Sequence, residues 1–320
     1  MSADERSVQF ASDNNAGIAP EALEALVLAN AGHSAGYGDD RWTRAAADSV
    51  RRTFDADVPV YFVLTGTAAN ALAISAICRP TDAVVCHEFA HVNVDECGAC
   101  EALSGGAKLL AVAGPGAKVT PEAFVARAVA HDEHASRPRA LSLTQATELG
   151  TVYAPGELRA LADAAHARGI RVHMDGARFA NAVAALGCAP ADLAQHAGID
   201  VLAFGGTKNG LPLGEALVFF DAALADEFAR RRKQAVDVAG GHDLRQGTAA
   251  FWPLDDHRGI VAAPAFAIEK TMKLAHRREF AGGAGGLQSP VGNAGQKSAD
   301  RVRCRGQRRC ATAGEITEIA

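Results

Sequence analysis

The sequence predicts an α/β protein built on a mostly parallel sheet flanked by helices, and three observations carry that expectation. Short β-rich runs alternate with alanine-rich amphipathic segments between about residues 58 and 220, the pattern of strands joined by helical crossovers. Glycines punctuate the junctions, among them Gly66, Gly169 and Gly205-Gly206. The chain has 320 residues, 48% of them hydrophobic, enough to bury one large core and a smaller one beside it.

In chain order, residues 20–31 and 42–54 read as two helices of an N-terminal arm, joined by the turn-rich segment 32–40. Strands are expected at 58–64, 83–86, 108–112, 140–144, 171–174, 201–204 and 215–220. Helical periodicity marks 67–78, 121–130, 155–168 and 223–232. After Ala235, Gly240-Gly241, the glycine-rich stretch 281–286 and the arginine-rich stretch 301–305 interrupt any period, and only about 261–274 reads as a helix. The organisation expected is an arm over residues 1–45, a catalytic large domain over 46–235 and an atypical, poorly ordered or unrelated segment over 236–320. No internal repeat is visible.

The formal net charge of -5 and pI near 6.1 give no drive towards nucleic acid or an anionic membrane, and suit an enzyme acting on a small molecule. The acidic, polar start Met1-Ser2-Ala3-Asp4-Glu5-Arg6 does not resemble a secretory leader, so a cytoplasmic protein is expected. Seven scattered cysteines do not form a disulfide framework, and Cys97-x-x-Cys100 lacks the second pair that a zinc site needs. No metal is expected. The basic run between Arg301 and Arg309 has no interleaved aromatics and reads as a solvated tail.

Three strand-edge motifs carry chemistry. Val201-Leu202-Ala203-Phe204-Gly205-Gly206-Thr207 leads to Lys208 at the tip of a glycine turn. Small residues there let a cofactor approach the backbone, and a desolvated lysine amine is suited to attack an aldehyde. Taken alone, the pattern fits equally a lysine that follows a strand into water. One strand-helix-strand unit earlier, a second strand ends in Asp175-Gly176-Ala177-Arg178. Asp175 and Lys208 are therefore expected at the carboxyl edge of one sheet, where open α/β sheets bind ligands. A carboxylate there can keep a pyridine nitrogen protonated, although Asp is also an ordinary helix cap. Leu64-Thr65-Gly66-Thr67 passes from strand to helix, so its first amides can bind phosphate or merely be capped. The order phosphate loop, carboxylate, lysine points to pyridoxal phosphate. His87 and His91, four residues apart, lack the long helix and further ligands of a metal site.

The segments Phe10 to Asn14, Tyr37-Gly38-Asp39-Asp40, Gly66 to Asn70, His91 with Asp95-Glu96-Cys97-Gly98, Thr144 to Glu148, His173 to Phe179 and Phe204 to Asn209 together resemble the low-specificity L-threonine aldolases, which are fold-type I pyridoxal-phosphate enzymes. The resemblance implies pyridoxal 5'-phosphate as cofactor and retro-aldol cleavage of L-threonine and L-allo-threonine to glycine and acetaldehyde, in a homodimer or homotetramer. It implies catalytic roles for Lys208, His91 and His134. Lys208 would carry the cofactor, Asp175 would face its ring nitrogen, and Arg178 would meet its phenolic oxygen and the substrate carboxylate. Gly66 and Thr67 would hold the phosphate, with Thr207 also at the cofactor. His91 would stack on the ring and act as base, directly or through a water. Ser12 would help bind the substrate carboxylate, Tyr37 would reach the neighbouring subunit's site, and His134 would stand near the substrate hydroxyl.

These motifs stop near Lys233-Gln234-Ala235. The family continues with a small C-terminal domain that supplies another arginine to the substrate, whereas residues 236–320 read like a shifted frame of a GC-rich gene. The expected fold is thus fold-type I with an altered or missing small C-terminal domain. Two other readings stay open: a different pyridoxal-phosphate lyase or aminotransferase on the same scaffold, and an inactive product with an aberrant C-terminus.

Overall fold

Seven strands form one sheet in a computed structural model that describes residues 11–129 and 133–235. They are β1 (Val60–Val63), β2 (Asp82–His87), β3 (Lys108–Val112), β4 (Arg137–Thr144), β5 (Arg171–Gly176), β6 (Val201–Gly205) and β7 (Glu215–Phe219), in the spatial order β1-β7-β6-β5-β4-β2-β3. β7 runs antiparallel to both β1 and β6, and the other pairs are parallel. Strands covered on both faces need no polar alternation. Accordingly β2, β6 and β7 are buried along their whole length.

The helices are α1 (Pro20–Ala29), α2 (Arg41–Phe54), α3 (Gly66–Ile77), α4 (His91–Val94), α5 (Ala99–Ser104), α6 (Pro121–Arg127), α7 (Pro155–His166), α8 (Phe179–Leu186) and α9 (Phe228–Gln234). Asp40 starts α2 by accepting the amides of Trp42 and Thr43 at 2.8 and 2.9 Å. The buried face of α2, Ala46, Val50 and Phe54, lies on one side of the sheet. There Phe54 packs against Phe179 of α8, Phe204 of β6 and Phe220, with ring centroids 5.7, 5.3 and 5.6 Å away. α3 crosses the other side. Its Ala69, Leu72 and Ala73 meet Val201, Ala203, Leu217 and Phe219, while Ala71 and Ile74 meet Val84, Cys86 and Ala140. Small residues dominate α3 because both the sheet and α5 lie against it.

All seven expected strands are present. The expected boundary near residue 45 falls inside α2, whose buried face belongs to the main core, so α2 is part of the layered domain rather than a separate arm. The helix expected over 223–232 is broken into a 3-10 turn, Ala222–Ala225, and α9, because Glu227 adopts φ +61° between them. Residues 236–320, including the helix expected at 261–274, lie outside the described residues. Among the described residues, no helix is long and apolar enough to cross a membrane.

Candidate active site

The carboxyl ends of β1, β4, β5 and β6 open onto a cavity of about 340 Å³, a volume suited to a small ligand. Because β7 runs the other way, its first residue, Glu215, lies at the same edge. Gly66 and Thr67 begin α3. Thr65 caps that helix by accepting the Ala68 amide at 3.1 Å, leaving the Gly66 and Thr67 amides without an acceptor among the described residues. Such exposed amides at a helix start favour an anion.

Lys208 sits in the short turn Thr207–Asn209 that follows β6. Asn209 Nδ2 donates to the Gly205 carbonyl at 2.6 Å, and the Gly206 amide donates to Glu215 Oε2 at 2.6 Å. A Cβ on Gly205 would stand 2.6 Å from the Ala177 carbonyl oxygen and 2.7 Å from its Cα. Gly205 is therefore demanded by the backbone of the turn that carries Arg178, a different reason from the cofactor approach that the sequence suggested.

Asp175 lies near the end of β5 and is buried. Its Oδ1 accepts the Ala177 amide at 3.0 Å, and its Oδ2 accepts Nδ2 of Asn70, from α3, at 2.9 Å. It caps no helix, since Arg178 precedes α8. Asn70 Nδ2 also donates to Glu96 Oε1 at 2.7 Å, and that oxygen lies 3.0 Å from His91 Nδ1. Asp175, Asn70, Glu96 and His91 thus form one hydrogen-bonded chain. The Glu96 bond holds the His91 pKa above its ordinary value; burial opposes this, and the Asp175 charge assists it. The His91 amide donates to Glu148 Oε1 at 2.9 Å, as does the Thr144 hydroxyl.

One potential ligand atom from each of His91, Glu96 and Asp175 falls within 4.8 Å of the others. The Asn70 amide already donates to both carboxylates, so a hydrogen-bond donor occupies the position where a cation would draw them together. His87 stands apart: its Nε2 faces the Gly114 carbonyl at 3.1 Å, and its Nδ1 accepts the Phe89 amide. Burial raises the pKa of the Cys100 thiol, helped by Glu96, whose Oε2 lies against it, while Cys97 is exposed.

Arg178 is gripped by Asp13, Nε to Oδ2 at 2.7 Å and Nη2 to Oδ1 at 3.0 Å. Burial works to raise the Asp13 pKa, but the Arg178 bond and charge, with help from Lys208, hold it below the ordinary carboxylate value. Lys208, Asp175, Arg178, His91, Gly66, Thr67 and Thr207 all line the cavity. Ser12 does not; its hydroxyl caps the turn Asp13–Asn15, and Asn14 is the lining residue instead. Tyr37 is 59% exposed, with Lys233 Nζ of its own chain 4.5 Å from the ring centre. The structure does not bring His134 to the cavity. It lies ahead of β4, whose far end supplies the lining residue Thr144. Eight strand residues span roughly 26 Å, so within one chain His134 is at the wrong edge of the sheet.

Asn70, Glu96, Asp13, Glu148 and Glu215 were not singled out from the sequence. Asn70 was accessible to a periodicity argument, because it lies four residues after Gly66 on the same helix face. Glu215 carried a signal as an acid opening the apolar run Ala216-Leu217-Val218-Phe219. Glu96 and Asp13 gave none beyond belonging to quoted motifs, since their partners are fixed only by tertiary packing.

The site fits pyridoxal phosphate on its own chemistry: free helix-start amides for an anion, a buried carboxylate for a ring nitrogen, and a lysine amine lining the same cavity. Asn70 Oδ1 and Glu148 Oε2 are also buried without partners among the described residues, so polar capacity remains for a bound group. Residues 9–286 match the family model described as beta-eliminating lyase, which runs past residue 235. The chain is 52% identical over 238 residues to the low specificity L-threonine aldolase of Pseudomonas sp. (strain NCIMB 10558), covering 73% of this chain and 68% of that protein. It is 51% identical to the low specificity L-threonine aldolase of Pseudomonas aeruginosa, covering 72% and 67%. The solved structure of Leishmania major threonine aldolase superimposes with a TM-score of 0.74 at 26% identity, over 85% of this chain and 76% of that one.

Proposed function

Since the chain belongs to the beta-eliminating lyase family, we propose that it uses pyridoxal phosphate to cleave L-threonine and L-allo-threonine to glycine and acetaldehyde. The single observation that carries this reading is the meeting of Lys208, Asp175, His91 and the α3 amides in one cavity. Bound there, pyridoxal phosphate supplies an electron sink for the Cα–Cβ bond that breaks.

Lys208 provides the amine that binds the cofactor covalently. Asp175, fixed by Asn70 and by its own turn, holds the proton on the ring nitrogen. The amides of Gly66 and Thr67, with Thr207, hold the phosphate. His91 has Nδ1 committed to Glu96, which leaves Nε2 to take the substrate's β-hydroxyl proton. Arg178, which lines the cavity and is already oriented by Asp13, takes the substrate carboxylate. Glycine leaves once a proton returns to Cα. Tyr37, on the surface, contributes to the site of a second copy in a homodimer or homotetramer located in the cytoplasm.

The test is an absorbance spectrum of the purified full chain with pyridoxal phosphate, repeated for Lys208→Ala, then threonine addition with an acetaldehyde assay. A Lys208-dependent band together with acetaldehyde is expected. A band without acetaldehyde would retain the cofactor site and sink the aldolase reading.

A further inference from the structure

Glu215 plays no part in the chemistry above, yet it opens β7 at the cavity wall. Its backbone pairs with Val63 of β1 on one side and Gly205 of β6 on the other. Val63 leads through Leu64 and Thr65 into α3; Gly205 leads into Gly206 and Thr207. Glu215 therefore sits between the two segments assigned to the cofactor phosphate. The neighbouring Gly214 amide also donates to the Leu64 carbonyl at 3.2 Å. The Glu215 carboxyl accepts the Gly206 amide at 2.6 Å, is hydrogen-bonded by Thr207 and lines the cavity together with Thr65, Gly66 and Thr67.

We propose that Glu215 belongs to the phosphate subsite and carries a proton whenever a phosphorylated ligand occupies it, so that cofactor loading takes up one proton from solvent. The proposal rests on the reading of Gly66, Thr67 and Thr207 as the phosphate contacts. Glu215 is 6% exposed and forms no ion pair among the described residues. A buried carboxylate without a counter-ion is costly, and a second anion placed beside it makes the charged form worse. The phosphate keeps its second charge above about pH 6, so the carboxyl is the group that takes the proton.

The titratable and charged groups sharing the cavity are Asp175, Arg178, Lys208, His91, Glu96 and Glu148. Asp175 pushes a proton onto Glu215, and Arg178 is already committed to Asp13. Burial, the largest influence, pushes the Glu215 pKa up to about 7, against the bonds from Thr207 and Gly206. The free protein thus loses this proton as pH rises through neutrality, and loading must restore it.

The test titrates apoprotein of the full chain with pyridoxal phosphate between about pH 7 and 8.5, reading Lys208-dependent absorbance for wild type and Glu215→Gln. The ratio of wild-type to variant dissociation constant is expected to climb by up to about tenfold per pH unit. A ratio that stays constant overturns the proposal. Wild-type calorimetry at pH 8, in two buffers of different ionisation heat, covers a variant that fails to fold. Pyridoxal phosphate should take up about one proton more than unphosphorylated pyridoxal, and equal uptake overturns the proposal. Lack of Lys208-dependent absorbance with either ligand would sink the proposed function as well, and so marks a different failure.

Discussion

Asp13 and Arg178, 165 residues apart in sequence, are joined by two parallel hydrogen bonds, and Arg178 lines the cavity. A bidentate carboxylate fixes the plane of a guanidinium and leaves its remaining N–H groups aimed. Replacing Asp13 by Ala releases that plane. The KM for threonine should rise roughly tenfold, with kcat changing less, since the loss is in orienting substrate rather than in the bond that breaks. Steady-state kinetics decide it, and a lower KM would mean that Asp13 competes with substrate for Arg178.

Asn70 is the donor between two buried carboxylates, Asp175 and Glu96. Asn70→Ala removes it and should destabilise the apoprotein by about 1–3 kcal/mol, the cost of leaving buried acceptors unmet. Asn70→Asp puts a third acid in the same place and should cost more. Urea unfolding of the two variants gives the order, and equal stabilities would show that the carboxylates find other donors.

Glu96 raises the pKa of His91 through the 3.0 Å contact to Nδ1. Glu96→Gln should lower it, moving the acidic limb of the kcat/KM profile to lower pH, because His91 then sheds its proton earlier. Stability follows the same sign. A histidine whose folded pKa is raised stabilises the fold fully below about pH 6.5, and that stabilisation is lost as pH rises through the raised value. The variant should therefore lose stability relative to wild type mainly on the acid side, measurable by thermal unfolding at pH 5.5 and 8.5.

Gly205→Ala would drive a Cβ to 2.6 Å from a backbone oxygen that has no rotamer by which to withdraw. A destabilisation of about 1–3 kcal/mol is expected, with weaker cofactor absorbance because the turns bearing Lys208 and Arg178 shift together. An unchanged melting temperature would show that the Ala177 turn yields freely.

The strands were legible because covered strands write themselves as apolar runs bounded by glycine, as in Val201 to Gly206. Lys208, Asp175 and Gly66 were legible because strand ends place them at one edge whatever the strand order. Hidden from the sequence were the short helices α4 and α5, with four and six residues too brief for a period to show. So was the insertion of β7 between β1 and β6, which brings Glu215 to the cavity. His134 shows the converse: it precedes the expected strand, which already puts it at the amino end of β4, opposite the edge that binds the cofactor, so its place in the chain argued against the role that the resemblance implied.

That same insertion sets a schedule for synthesis. β1 pairs with β7 and with no other described strand, and β7 is the last of the described strands to leave the ribosome. Until then, β1 has an unfilled ladder, and the strand that leads into the helix offering its amides to phosphate is unpaired, although Asn70 can already tie that helix to Asp175 and Glu96. The cofactor pocket is complete only when β7 closes the gap between β1 and β6, and a product halted before Phe219 would leave bare strand edges open to association with other chains.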